Sequence, residues 1–183
     1  MNSFLIANPD KCIGCRTCEI ACVVAHSETN IFHEEGKIDF NPKLSVIKTK
    51  EVSAPIQCRH CEDAPCVKVC PYNAIKKVDG SIKIDEKACI GCKTCAIACA
   101  IGAIEMTNIT IQEELANMDG KFHFKEKMIA NKCDFCVGTE GGPACAEICP
   151  TKAFVIVKKE ELDKSIKNKR KANLNSLKGS TSL

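Results

Sequence analysis

The chain has 183 residues and a formal net charge of +3; sixteen residues are cysteine, against seven phenylalanines, one tyrosine and no tryptophan. So few aromatics cannot fill a large core, and metal–thiolate bonds are expected to replace part of it. Residues 158–183 hold eight Lys or Arg against three acids, net +5, leaving the remainder at −2, which excludes a basic nucleic-acid face over the body of the protein, and no run reaches the roughly eighteen apolar residues of a membrane span.

Taken in order, Phe4-Leu5-Ile6-Ala7 predicts a short strand. A cysteine run follows, Cys12-x2-Cys15-x2-Cys18-x3-Cys22, and residues 17–26 predict a short helix. Ser27 to Pro42 is polar without periodicity and predicts a loop. Leu44 to Val52 has the β-branched character of a strand, broken by Ser53-Ala54-Pro55. The second run is Cys58-x2-Cys61-x4-Cys66-x3-Cys70-Pro71. Asp79-Gly80 between apolar runs predicts a hairpin over Ala74–Asp85. The third run, Cys89-x2-Cys92-x2-Cys95-x3-Cys99, repeats nine of the eleven positions of the first, the mark of a duplicated unit. Residues 103–129 predict a connector, with a short helix at Gln112–Met118 and a turn at Asp119-Gly120. The fourth run is Cys133-x2-Cys136-x8-Cys145-x3-Cys149-Pro150, lengthened by an insert at 137–143. Lys152–Val157 predicts a strand, and a charged helix from Lys158 fades into a Gly/Ser tail.

Sixteen cysteines divide into four runs of four with none left over. Three cysteines at steps of three wrap one face of an iron–sulfur cube, and the fourth points to another cube. Zinc sites use two spaced pairs and leave no role for the middle cysteine of runs one and three. Disulfides would require an oxidising compartment, and the N-terminus shows no basic region, long apolar run or twin arginine. The expectation is a soluble, cytoplasmic protein whose thiols stay reduced for metal. Cys-Pro closes runs two and four, as in bacterial ferredoxins; Val23 and Ala100 stand there in runs one and three.

Between the ligands, Arg16, Arg59, Lys93 and His60 are expected to be solvated rim residues. Asp39, Glu62 and Asp63 form no paired-acid arrangement for catalysis, and Glu34-Glu35 is expected to be a solvated loop face. No catalytic residue is expected.

The number, order and spacing of the sixteen cysteines resemble the four-cluster ferredoxin-like electron-transfer subunits of molybdenum or tungsten oxidoreductases, over roughly residues 1–157. Lys11–Cys18 and Cys58–Cys66 resemble the small iron–sulfur subunits of formate dehydrogenase–hydrogenase complexes, namely formate hydrogenlyase and hydrogen-dependent carbon dioxide reductase. The resemblance implies four [4Fe-4S] clusters and a ligand pairing that the spacing alone leaves open. Cluster A takes Cys12, Cys15, Cys18 and Cys149; cluster B takes Cys22, Cys133, Cys136 and Cys145. Cluster C takes Cys58, Cys61, Cys66 and Cys99; cluster D takes Cys70, Cys89, Cys92 and Cys95.

With that pairing the fold is α+β. Two ferredoxin-like modules are expected, residues 53–105 inserted into one built from 1–52 and 106–157, with 158–183 a basic C-terminal helix and tail. The implied function is an electron-transfer subunit, not itself an enzyme, with a formate dehydrogenase catalytic subunit and a hydrogenase or second ferredoxin-like subunit as partners. Alternatives are an iron–sulfur subunit of a nitrate, dimethyl sulfoxide or thiosulfate enzyme, a free polyferredoxin, and, from another class, a structural, filament-forming assembly subunit. In the C-terminal segment Leu162 and Ile166 share a helix face, and acids precede bases as the helix dipole favours. That face has two readings, a solvated, fraying terminus or a docking surface for a neighbouring subunit, further copies of the chain among them.

Overall fold

The computed structural model describes residues 2–27, 40–114, 122–138 and 141–178. It is built of short strands and short helices, with one long helix at the C-terminal end. Strand β1, Phe4–Ala7, pairs antiparallel with β8, Phe154–Val157, so segments about 150 residues apart share one sheet. Leu5, 1% exposed, anchors that sheet on an apolar cluster with Cys18, Cys22, Leu44, Val46 and Cys145.

Helix α1, Thr17–His26, spans the residues predicted. It is tied down by the buried Glu19 carboxylate, which accepts from the Val46 N–H at 2.6 Å. The expected single strand at 44–52 is a hairpin instead: β2, Ser45–Lys48, pairs with β3, Ser53–Ile56. Thr49 makes the turn, its N–H and hydroxyl both bonding the Val52 carbonyl. Pro55 therefore lies within a strand, and each strand of this sheet has a single partner, so the missing N–H is tolerated.

Helix α2, Pro65–Lys68, precedes the predicted hairpin of β4, Ile75–Val78, and β5, Ser81–Ile84. Asp79 and Gly80 take φ of 48° and 74°, the paired left-handed conformation of a two-residue turn. Ile75 and Ile82 bury against Ala64, Cys66, Cys95, Ile104 and Ala130. Helix α3 is Thr94–Ala98.

The expected connector at 103–129 is a long hairpin: β6, Glu105–Glu114, and β7, Phe122–Asn131, pair over ten residues. Gln112–Glu114, expected to start a helix, end β6; the β-branched run Thr107, Ile109, Thr110, Ile111 favours a strand, and the β7 partner settles it. The rest of that expected helix, the turn at 119–120, most of the 27–42 loop and the Gly/Ser tail lie outside the described residues. Helix α4, Ala144–Glu147, packs on α1, and α5, Lys159–Lys178, is the charged helix predicted. No helix among the described residues is long and apolar enough to cross a membrane.

Candidate iron–sulfur sites

None of the sixteen cysteines is paired in a disulfide. Each run places its first cysteines on a loop and its last ones on or beside a short helix. The loops need unusual backbone: Gly14 and Gly91, at the same place in the repeat, have φ of 65° and 70°, and Arg16 and Lys93 follow at 64° and 68°. Arg16 and Lys93 are exposed, as expected of rim residues. Arg59 is exposed too, its guanidinium 5.9 Å from the Phe4 ring centroid. After runs two and four the turns are alike: Asn73 and Lys152 take φ of 50° and 49°, and Ala74 and Ala153 bury behind them.

Two cavities are lined by cysteines from two runs each. One has Cys70 of run two beside Cys89, Cys92 and Cys95 of run three. The other has Cys58, Cys61 and Cys66 of run two beside Cys99 of run three. Runs one and four also meet. Burial pushes the Cys145 thiol up, and Cys133, Cys22 and Cys136 push it further. A hydrogen bond from the Thr17 hydroxyl lowers Cys15, while Cys149 opposes it.

These surroundings suit a cluster rather than free thiolates. Burial holds Cys18 and Cys66 up at about 11 and Cys133 at about 12, so ionising all four thiols of a set needs a metal to take the charge. Backbone N–H groups already point at the sulfurs. His60 donates to Cys58 at 3.4 Å, Ala103 to Cys99 at 3.4 Å, Ala130 to Cys89 at 3.4 Å, Phe135 to Cys133 at 3.4 Å, Ala153 to Cys149 at 3.3 Å and Lys43 to Cys22 at 3.3 Å. Hydrogen bonds to sulfur are one means of setting a cluster's potential. Threonine hydroxyls two residues beyond Cys15, Cys92 and Cys149 reach their sulfurs at 3.3, 3.4 and 3.6 Å. That Cys-x-Thr pattern was open to reading in the sequence.

Sequence reasoning missed three features. His60 is not a rim residue: it is 1% exposed, its Nδ1 accepts from the Ile82 N–H at 2.9 Å, and it meets the Phe135 ring edge-on. Burial, aided by the positive charge of Lys132, lowers it to about 4 and keeps it neutral. Behind Cys22, Asp134 accepts from His26 Nε2 at 3.0 Å and from Lys43 Nζ at 3.0 Å, and its Oδ1 accepts the Cys136 N–H at 3.0 Å. Burial opposes charging His26, but bonds to Asp134 and Cys22 prevail and raise it to about 10. Lys132 is 4% exposed and donates to the Ile82 and Cys133 carbonyls. Single charged residues beside cysteines carry no periodic signal, which is why none of these was anticipated. Glu62 and Asp63 engage Lys77 and Lys68, with no acid pair between them.

Two models described as a 4Fe-4S dicluster domain match the chain, at residues 11–74 and 49–159. The sequence is 42% identical to the electron transport protein HydN of Escherichia coli (strain K12) over 172 residues, 93% of this chain and 97% of that one. It is 40% identical to formate hydrogenlyase subunit 2 of the same strain over 192 residues, 96% and 91% of the two chains. It is also 40% identical to the putative electron transport protein YsaA of that strain over 164 residues, 90% and 95% of the two chains. Two dicluster domains and sixteen cysteines support four [4Fe-4S] clusters.

Proposed function

This chain belongs to the 4Fe-4S dicluster family of electron-transfer proteins, and from that premise we propose that it is a non-catalytic subunit relaying electrons between a formate dehydrogenase and a hydrogenase. The relatives named for electron transport and for formate hydrogenlyase support the reading. A [4Fe-4S] cube, when bound, takes up and returns single electrons. The chain holds, spaces and shields the cubes.

The ligand sets are those of clusters A to D given above. The observation that carries the relay is the packing of Cys58 and Cys99 with Cys133 in one apolar cluster. It lays a cysteine assigned to B against two assigned to C, which supports one series over two separate stores. Cys18 packs with Cys22 and Cys145, and Cys66 and Cys99 with Cys70, Cys89 and Cys95, which supports the order A–B–C–D. The nested modules, 1–52 with 106–157 around 53–105, draw support from the β1–β8 pairing that closes the two ends of the outer one. Cysteine runs given over to iron ligation suit the cytoplasm, where thiols stay reduced.

Iron and sulfide analysis of the anaerobically purified protein is expected to give about sixteen of each per chain. The protein is expected to co-purify with formate dehydrogenase and hydrogenase activities, and hydrogen-to-formate turnover is expected to stop when it is removed. Stoichiometric zinc, or a preparation that carries its iron but never associates with either activity, would overturn the reading.

A second reading concerns α5. Among the described side chains of this helix only Leu162 is partly covered, and Ile166 and Leu174 are 37% and 65% exposed. A helix surplus to cluster binding, with uncovered apolar residues, supports self-association; a head-to-tail contact that did not close would build a filament.

A further inference from the structure

Lys132 is unlike the other lysines described. It lies between the end of β7 and Cys133, is 4% exposed, and donates its ammonium hydrogens to two backbone carbonyls, those of Ile82 and Cys133. None of the ion pairs among the described residues includes it. The nearest acid in the sequence, Asp134, is engaged by His26 and Lys43 at 3.0 Å each. A buried ammonium without a carboxylate is costly, and a neutral donor would satisfy the same two carbonyls. The surroundings explain what the charge faces. Cys133 packs against Cys58 and Cys99 at the junction of the two cysteine-lined regions. Ile82, whose carbonyl accepts from Lys132, lines the same cavity as Cys58, Cys61, Cys66 and Cys99.

We propose that Lys132 is a fixed positive charge that raises the reduction potential of the cluster held by Cys58, Cys61, Cys66 and Cys99. This rests on the reading that those four cysteines bind one cube. A cube with four thiolates is a dianion when oxidised and a trianion when reduced. Taking up one electron from the reductant breaks no bond and needs no proton, so the whole change is one of charge. An ammonium held in a poorly screened site favours the more negative state. Its position is fixed by the two carbonyls: the Ile82 peptide accepts from Lys132 on one side and donates to His60 Nδ1 on the other. The same bonds bind the β4–β5 hairpin to the start of run four. The residue thus sets the potential of an inner cluster, where an electron must pause between the two ends of the series.

The test is an anaerobic titration of the full-length protein with dithionite, followed by electron paramagnetic resonance, on wild type, K132M, K132Q and K132R. The signal of this cluster is identified as the one altered by C66S. At the wild-type midpoint, K132Q and K132M are expected to lower its reduced-to-oxidised ratio about tenfold, a shift of about 59 mV for one electron. K132R is expected to keep the ratio within about threefold of wild type (about 28 mV on the same scale). Unchanged midpoints in a neutral variant with full iron would overturn the proposal. So would an equal shift in K132R. If neither neutral variant takes up full iron, Lys132 is a folding element and the proposal is lost. Incomplete iron in the wild type would instead sink the reading of the ligand sets.

Discussion

Replacing Gly91 with alanine is expected to do far more damage than the same change at Gly14, although both stand in the same Cys-Ile-Gly-Cys sequence. Both have positive φ, so each alanine costs about 1–2 kcal/mol in the left-handed region. The surroundings then separate them. A Cβ on Gly91 would lie 2.5 Å from the Met128 carbonyl oxygen and 3.2 Å from its carbon, both backbone atoms of β7. That strand cannot yield locally, because it is paired over ten residues with β6 and donates the Ala130 N–H to Cys89 Sγ. Overpacking of this kind adds about 1–3 kcal/mol. A Cβ on Gly14 would meet Lys48 Cε at 2.6 Å, the far end of an exposed side chain that can swing away, and Ser53 Oγ at 3.0 Å. The excess cost of G91A over G14A is thus about 1–3 kcal/mol, a factor of at least about five in an equilibrium. The assay is the rate of iron release to a chelator at fixed guanidinium under anaerobic conditions. G91A should release iron several-fold faster than G14A, and its early loss should remove the signal of the cluster nearest Cys89. Equal rates for the two variants, or wild-type behaviour of G91A, would refute the steric argument.

Other outcomes follow from the same geometry. His60 is held near 4 when folded and titrates near 6.5 when unfolded, so the unfolded chain takes up a proton that the folded one refuses; stability present above pH 6.5 is lost as pH falls toward 4, by up to about 3 kcal/mol. Anaerobic denaturation at stepped pH should show that acid-side slope, and H60Q should flatten it. His26 has the opposite sign: raised to about 10, its contribution is full below pH 6.5 and lost as pH rises through 10. D134N should abolish that alkaline loss and cost about 2–4 kcal/mol, with iron leaving first from the set containing Cys22 and Cys136, as followed by spin quantification. If the clusters act in series, C22S or C66S should stop hydrogen-to-formate coupling while each partner enzyme still reduces an artificial dye; unchanged coupling with the targeted cluster gone would exclude a single path. Deleting residues 160–183 should leave iron content and cluster spectra intact, since α5 lies outside every cysteine-lined cluster, and should reduce particle size in sedimentation if the helix joins copies.

The features readable without a structure are local ones. Three thiols at steps of three, the helix at Thr17–His26, the Asp79-Gly80 turn and the charged helix from Lys159 depend on neighbours within a few residues, so spacing and residue type suffice to place them. Where contacts span tens of residues the pattern falls silent. Gln112–Glu114 is a strand because β7 lies beside it, and Pro55 sits in a strand because Val46 is its partner. His60 looks like any polar loop residue until Ile82 and Phe135 close over it. Gly14 and Gly91 are one motif in the sequence and two environments in the fold, since Gly91 faces the backbone of a strand and Gly14 only side chains. The sixteen cysteines announce iron–sulfur chemistry by their number and spacing. Which cysteines share a cavity, and that Lys132 is buried beside them without an ion-pair partner among the described residues, are decided by how distant segments pack, because burial and charge pairing belong to the folded surface and not to the chain.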